Sequence, residues 1–209
     1  MKTFTAILIA LFFITAAVNS QTRLQQKKFS ISVQGGGFVP MGNASDAYNT
    51  GGNFGIGFNY RIKKNIELYA EGNYNFINYK STGVFDGSPS IIDASIGGRY
   101  FLGSGKYKTF VEGGAGLYAF KSPGFTYTTY TTVPHIDPET GDTTFTTTSA
   151  SATTSSQTSV NFGVNAGLGE ILTVGKNFDI YLRSDYRIAF TKGSSSSFIG
   201  VYAGIKLAL

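Results

Sequence analysis

Residues 51–76 read GGNFGIGFNYRIKKNIELYAEGNYNF. Apolar residues occupy every second position from Phe54 to Tyr60, with glycine and asparagine between them. After the basic break RIKKN, the same alternation runs from Ile66 to Phe76. Successive side chains of a β-strand point to opposite faces, so this stretch predicts two strands that each have one apolar and one polar face. Which of the two faces meets water decides what kind of protein this is.

The alternation continues along the chain, and helical periodicity is nearly absent. The glycine run at 35–37 leaves the direction of Phe38 open, because a bulge there would shift the alternation by one residue. The pattern predicts eight antiparallel strands, at about residues 28–40, 52–61, 66–80, 90–101, 108–121, 158–169, 178–190 and 198–209.

The connections between these strands differ in length at the two ends of the sheet. Those after the second, fourth and sixth strands are short turns, whereas those after the first, third and fifth are longer. The longest, residues 122–157, has FTYTTYTTV and TTFTTTSA on either side of HIDPETGD. The outer pieces have high β propensity and the middle has turn chemistry, so we expect the fifth and sixth strands to continue as a projecting hairpin.

Alternation alone fits either a soluble barrel with an apolar interior or a membrane barrel with a polar one. Glycines crowd the polar face, where they weaken an exposed strand but leave room inside a narrow barrel. The same face carries charges of both signs, which can pair when buried. The apolar face has no charge over spans of about ten residues, the length that a tilted strand needs to cross a bilayer. The sequence therefore predicts an all-β transmembrane antiparallel up-and-down β-barrel of about eight strands over residues 28–209.

The N-terminus predicts export. Residues 1–20, MKTFTAILIALFFITAAVNS, combine an early lysine, an apolar stretch and small residues before Gln21. This is the layout of a cleaved signal peptide, and cleavage leaves residues 21–27 as a short periplasmic segment. The alternative, a membrane anchor, needs about 20 apolar residues, and the run here is shorter.

Composition limits the class of partner. Charged residues make up 14% of the chain, well below the proportion of about a quarter that is usual in soluble domains, so a medium other than water covers much of the surface. The formal net charge of +5 comes from scattered basic residues in turns, which argues against binding to nucleic acid. The chain has no cysteine, which excludes a disulfide framework and thiol chemistry.

This pattern resembles the small eight-stranded outer-membrane β-barrel proteins, such as OmpX and the transmembrane domain of OmpA. Its most specific part is the C-terminal GIKLAL, in which Gly204, Leu207 and Leu209 are similar to the Gly-x-x-apolar-x-apolar signal that the family's last strand presents to the barrel-assembly machinery. The last residue is Leu where the family favours Phe, and Ala203 stands where a polar residue is usual. The resemblance implies a place in the cell outer membrane, periplasmic termini and long loops that face outward.

Charged residues of the polar face form the main candidate site. Glu71, Glu112 and Arg183 each lie about five residues from the short-turn ends of their strands, and Lys206 lies near the chain end. We expect these four to form one buried ion-pair cluster that plugs the barrel, because an eight-stranded lumen is normally filled by side chains. A narrow porin-like channel gated by the same charges is the alternative. The whole set is Glu71, Asp93, Arg99, Glu112, Arg183, Asp185, Arg187 and Lys206.

A second candidate site lies at the loop ends of the third, fifth and seventh strands. By parity Lys80, Lys121 and Lys192 point to the lipid side there. Their long side chains could reach the phosphates of lipopolysaccharide, and the alternative is ordinary strand-end lysines in water.

No residue set predicts an enzyme, a cofactor or a metal site. The single histidine, His135, stands beside proline in the tip of the longest loop, where no triad geometry is fixed. Asp137, Glu139 and Asp142 lack the ligand spacing of a calcium loop. The sequence therefore predicts a barrel that acts in membrane integrity or in surface interaction, including adhesion, through its outer loops. A porin-like channel and a soluble secreted ligand-binding barrel are the alternatives.

Overall fold

A computed structural model describes residues 28–80, 88–136, 139 and 142–209. The predicted signal peptide (1–20) and periplasmic segment (21–27) lie outside the described residues. The ten strands and one helix are β1 (Phe29–Met41), α1 (Asn43–Ala47), β2 (Tyr48–Lys63), β3 (Ile66–Tyr79), β4 (Ser90–Leu102), β5 (Tyr107–Ser122), β6 (Phe125–Ile136), β7 (Thr143–Thr154), β8 (Gln157–Thr173), β9 (Phe178–Thr191) and β10 (Ser194–Ala208).

Eight of these strands close into one antiparallel barrel, in the order β1-β10-β9-β8-β5-β4-β3-β2. Strands β6 and β7 form a separate two-stranded sheet between β5 and β8 in the chain. The predicted eight-stranded barrel is therefore confirmed. We call the end with the turns β2–β3, β4–β5 and β8–β9 the short-turn end, and the opposite end the long-loop end.

The apolar face points outward. Phe54, Leu68 and Ile96 are exposed by 49%, 46% and 69%. Glu71 and Arg183, at positions of the opposite parity, are only 7% and 2% exposed. A soluble barrel would show the reverse, with its apolar side chains around a central cavity. The barrel therefore has an apolar outer wall and a polar, packed interior, as the sequence predicts.

Strand β1 keeps its alternation through the glycine run. Its register with both β2 and β10 is continuous from Ser30 to Phe38, without a bulge. Phe38 therefore points inward, where it is fully buried and stacks on Phe198 with 4.7 Å between ring centroids. This resolves the direction of Phe38, which the sequence leaves open.

The hairpin between β5 and β8 is present but is not a simple continuation of those strands. Pro123 and Gly124 separate β5 from β6, and Ser155 and Ser156 separate β7 from β8. Proline has no backbone N–H to contribute to a ladder, so the sheet is interrupted there. From residue 126 to 135 and from 142 to 153, all side chains are exposed.

Two features of the long-loop end differ from the sequence prediction. A five-residue helix, α1, follows Gly42 and buries Ala44 against the interior. It is too short to leave a periodic pattern. The segment TKGSSSS (191–197), which the predicted strands 178–190 and 198–209 leave as a loop, is mostly strand. Its turn is short because Lys192 and Gly193 alone connect the strands, and Gly193 has φ of 85°, a value that favours glycine. No helix in the described part of the chain is long and apolar enough to cross a membrane.

Candidate functional site

Arg183 lies at the centre of the barrel interior. One guanidinium nitrogen donates to Glu112 at 2.9 Å and another donates to Glu71 at 2.7 Å. The Arg183 side chain has no exposed surface. Strands β9 and β3, which carry Arg183 and Glu71, stand opposite each other in the eight-strand ring. The bond between them therefore spans the lumen.

Arg187 continues the network towards the long-loop end. It donates to Asp93 at 2.8 Å and to both carboxylate oxygens of Asp185 at 3.0 and 2.9 Å. Asn73 and Asn75 each donate a further 2.8 Å bond to Asp93. Both buried carboxylates thus have hydrogen-bonded partners, which a buried charge requires.

Arg99 continues the network towards the short-turn end. Its Nε donates to Glu112 at 2.6 Å, and one terminal nitrogen lies 3.5 Å from Glu67. Lys206 lies 2.5 and 2.6 Å from the two oxygens of Glu67, and Arg61 donates to the same carboxylate at 2.8 Å. One carboxylate therefore gathers three basic side chains.

Lys206 enters the predicted cluster through a carboxylate that is not one of its four predicted members. Lys206 bonds to Glu67, and Arg99 connects that carboxylate to Glu71 and Glu112. Glu67 and Arg61 were outside the predicted set. Glu67 stands on the polar face of β3, so parity indicates its inward direction. Parity does not give the height at which side chains meet across a barrel, because that depends on the stagger of the strands.

The network is electrically balanced. It contains five basic side chains, Arg61, Arg99, Arg183, Arg187 and Lys206, and five acidic ones, Glu67, Glu71, Asp93, Glu112 and Asp185. All eight residues of the predicted set belong to it. Their side chains are exposed by 6% or less. Equal numbers of each sign make it possible to bury all of them without a net charge in the interior.

Aromatic rings pack against the arginines. The Arg99 guanidinium lies 4.5 Å from the centre of the Tyr69 ring, and those of Arg183 and Arg187 lie 4.8 and 5.2 Å from that of Tyr202. Such contacts favour a cation over the ring face. Inward glycines leave the space that these rings fill: a Cβ at Gly200 would lie 2.2 Å from Cζ of Tyr202. The glycines of the polar face are therefore a packing requirement.

Apolar clusters close both ends of this charged layer. The cluster at the long-loop end is Phe38, Ala44, Ile77, Ile91, Tyr118, Ala189 and Phe198. The cluster at the short-turn end is Phe101, Phe110, Ile171 and Tyr181. Sequence reasoning missed both, although these aromatics stand at polar-face positions and so break the alternation. An aromatic residue at a polar-face position therefore indicates, from the sequence, that the interior of the barrel is filled.

The three predicted lysines lie along one half of the rim at the long-loop end. Lys80, Lys121 and Lys192 are all exposed. Strands β3 and β5 are separated by β4, and β5 and β9 by β8, whereas β9 and β3 stand opposite each other in the ring. Neighbouring lysines along this half of the rim therefore lie about two strand spacings, roughly 10 Å, apart across the sheet. They present separate positive charges to the surroundings.

The predicted assembly signal has residues of two kinds. Leu207 and Leu209 point outward and are exposed by 46% and 65%. Gly204 points inward, where a Cβ would lie 2.4 Å from Cζ of Tyr181. Packing alone therefore requires a glycine at this place.

The hairpin of β6 and β7 is a third candidate site. Rows of hydroxyls pair across it: Thr126 with Thr153 at 3.0 Å, and Thr132 with Thr147 at 3.0 Å. Tyr130 is 70% exposed, and Phe145 is 69% exposed. Neither strand contains Asp, Glu, Lys or Arg. The hairpin thus presents a neutral, hydroxyl-rich and aromatic sheet to its surroundings.

No protein-family model and no curated protein sequence matches the chain. Among solved structures, the chain is similar to Neisserial surface protein A, with a TM-score of 0.56, 15% identity, and coverage of 87% of this chain and 97% of that one. It is also similar to Ail, the attachment invasion locus protein of Yersinia pestis, with a TM-score of 0.50, 11% identity, and coverage of 88% and 100%. The outer membrane enzyme PagL matches with a TM-score of 0.42, 13% identity, and coverage of 86% and 99%. The fold is that of the small eight-stranded outer-membrane β-barrels.

Proposed function

We propose that the protein is an outer-membrane β-barrel with a closed interior, and that it acts at the cell surface through the β6–β7 hairpin while the barrel contributes to membrane integrity. The observation that carries this proposal is the contrast between a filled lumen and a sheet of two twelve-residue strands that is exposed on both faces. A protein whose interior is sealed has its accessible chemistry on its outer loops.

Three observations support the location. The outer wall is apolar, as a wall in contact with acyl chains must be. The fold is shared with outer-membrane barrels. The N-terminal twenty residues have the layout of a cleaved signal peptide. In this location, Leu207 and Leu209 are available to the barrel-assembly machinery, and Lys80, Lys121 and Lys192 to lipopolysaccharide phosphates.

The rival function of a narrow channel is less well supported. An open pore would keep its lining side chains in contact with water. The ten charged side chains of the interior are exposed by 10% or less, and the central Arg183 and Arg187 by none. Hydrogen bonds that cross the lumen, Arg183 to Glu71 and Arg187 to Asp93, also occupy the space that a solute would need.

The proposal includes no enzymatic activity. His135 is exposed on the hairpin, where Thr144 donates a hydrogen bond to its backbone carbonyl at 3.3 Å. No group of three His, Cys, Asp or Glu suited to a metal occurs among the described residues. The buried carboxylates are all engaged by basic partners, so none is free to act as a general base.

Removal of the hairpin tests the surface function. Residues 123–156 are replaced by a short Gly-Ser turn, and folding of the barrel is checked by its faster migration on an SDS gel before boiling. Cells that display this variant and cells that display the intact chain are compared for self-clumping and for attachment to abiotic and mammalian-cell surfaces. We expect the deletion to lose attachment and to retain the folded barrel. Equal attachment by both strains in every assay would contradict the proposal.

A further inference from the structure

The hairpin is an incomplete sheet. Among the described residues, no third strand pairs with β6 or β7. A two-stranded sheet is marginally stable in water unless a further strand or a packed face supports it. Both faces of this one are exposed, so the barrel does not supply that support. In the part of the chain that the structure describes, the outer edge of β7 therefore presents a row of backbone N–H and C=O groups without a strand partner.

The edge of β7 has none of the features that natural edge strands use against further pairing. Charges, prolines and bulges are the usual ones. Strand β7 reads TTFTTTSASATT, without charge or proline, and its register with β6 is continuous. Strand β6 differs, because Pro134 stands near its tip. The β7 edge is thus the more open of the two to a new strand.

The chemistry of the edge favours a second copy of the same chain as its partner. A charge-free edge gains nothing from an acidic or basic partner, whereas high β propensity and low charge are the properties that let identical strands pair. Pairing two β7 edges would give a four-stranded sheet, β6-β7-β7-β6, which passes the size needed for independent stability. Twelve residues extend over about 40 Å, long enough for many ladder bonds.

Symmetry then fixes the orientation of the two molecules. Identical edges related by a closed two-fold axis pair antiparallel, because the slanted bonds of a parallel ladder need the two edges to be offset. Hairpins on one membrane surface point the same way, so their β7 strands run parallel. Antiparallel pairing therefore joins hairpins that point towards each other from two facing membranes.

We propose that β7 of one molecule pairs antiparallel with β7 of a second copy in a facing membrane, so that the hairpin is a homotypic contact between cells. This inference rests on the proposed surface function of the hairpin and names its partner. The alternative partners are a strand of a different protein and a surface polysaccharide, and the test must distinguish these from a second copy of the chain.

Introducing like or opposite charges at the centre of β7 tests the pairing. One variant carries Thr148→Lys and Ala150→Lys, and a second carries Thr148→Glu and Ala150→Glu. In the proposed sheet, these positions face their counterparts across one strand spacing of about 5 Å, where like charges repel and opposite charges attract. The matched control carries Thr129→Lys and Thr131→Lys, which are the cross-strand neighbours of the same two positions on β6. Those lysines would be three strand spacings apart, beyond the screening length of about 8 Å at physiological salt.

The readout is clustering of phosphatidylcholine vesicles that carry the purified full chain, followed by light scattering. We expect clustering with the intact chain and with the β6 control. We expect the lysine variant alone and the glutamate variant alone to scatter like protein-free vesicles. A mixture of lysine vesicles and glutamate vesicles should cluster again, which also demonstrates that both variants are folded.

Several outcomes would overturn the inference. They are clustering of the lysine vesicles with themselves, no recovery in the mixture, and equal loss in the β6 control. If intact-chain vesicles do not cluster while hairpin-bearing cells still attach to another surface, the homotypic partner is wrong and the surface function stands. If deletion of the hairpin changes neither the clustering of vesicles nor the attachment of cells, the surface function itself is wrong.

Discussion

The barrel interior and the outer hairpin are built from the same kind of strand but treat polar groups in opposite ways. The interior buries ten charged side chains and connects them through salt bridges of 2.5 to 3.8 Å. The strands of the hairpin contain no charged side chain, and its hydroxyls pair in the open. The difference indicates that the two regions have separate roles. The interior stabilises the barrel, and the hairpin is exposed for contact with a partner outside the barrel.

The largest effect is expected where one residue bridges two walls. Arg183→Ala leaves both Glu71 and Glu112 without a central partner in the interior. Removing one member of a buried ion pair costs about 3–5 kcal/mol, so we expect the free energy of unfolding in lipid to fall by that amount. The chain has no tryptophan, so tyrosine fluorescence during unfolding in urea measures the change in the free energy of unfolding.

The matched control for that change lies in the hairpin. Thr128→Ala removes a hydroxyl that pairs with Ser151 at 2.9 Å in full contact with water. We expect no measurable loss of barrel stability from it. An Arg183→Ala loss no larger than that of Thr128→Ala would mean that the charge network does not hold the barrel together.

A smaller effect is expected at the C-terminal glycine. Gly204→Ala places a methyl group 2.4 Å from Cζ of Tyr181, and overpacking of this kind costs about 1–3 kcal/mol. The double variant Gly204→Ala/Tyr181→Leu should recover part of the loss, because the smaller side chain leaves room. Unfolding in lipid and the yield of folded protein are both measured. A defect in folded yield that the double variant does not relieve would place the role of Gly204 in assembly instead.

The rim lysines should have a modest effect that depends on the lipid. In anionic lipid each lysine near the surface contributes about 1 kcal/mol, so Lys80→Ala/Lys121→Ala/Lys192→Ala should lower stability in lipopolysaccharide-containing vesicles. Stability in neutral phosphatidylcholine should be unchanged. Lys106→Ala, at the short-turn end, is the control. The same stability in both lipids for all variants would refute the lipopolysaccharide contact.

The smallest effect on stability is expected within the hairpin ladder. Replacing the pair Thr132 and Thr147, whose hydroxyls lie 3.0 Å apart, with valine preserves shape and β propensity. We expect unchanged barrel stability and unchanged vesicle clustering, since the β7 backbone edge is retained. Lost clustering would mean that the hydroxyl face, and not the strand edge, makes the contact.

The barrel could be predicted from the sequence because successive side chains of a strand must point to opposite faces of the barrel wall. Once Phe54 and Ile56 point to lipid, Gly55 and Gly57 must point inward, and the same rule assigns the direction of every charged residue in the network. The continuous register of β1 carries this rule through its glycines as far as Phe38. Direction is therefore a local property, which a sequence reveals.

What sequence reasoning missed depends on distance across the lumen. Parity directs Lys206 inward but does not say that it reaches Glu67, because the stagger of the strands decides which rows meet. The apolar clusters around Phe38 and Phe110 are likewise assembled from several strands. The helix α1 is too short to show a period. These features belong to the closed barrel as a whole.

Planar-bilayer recording of the purified intact chain tests the central claim most directly, since that claim is a lumen closed by paired charges between two apolar layers. We predict no steady conductance at physiological salt, and transient leak in Arg183→Ala. A steady, ion-selective conductance of the intact chain that Glu112→Ala abolishes or widens would contradict the account and make the charge network a gate.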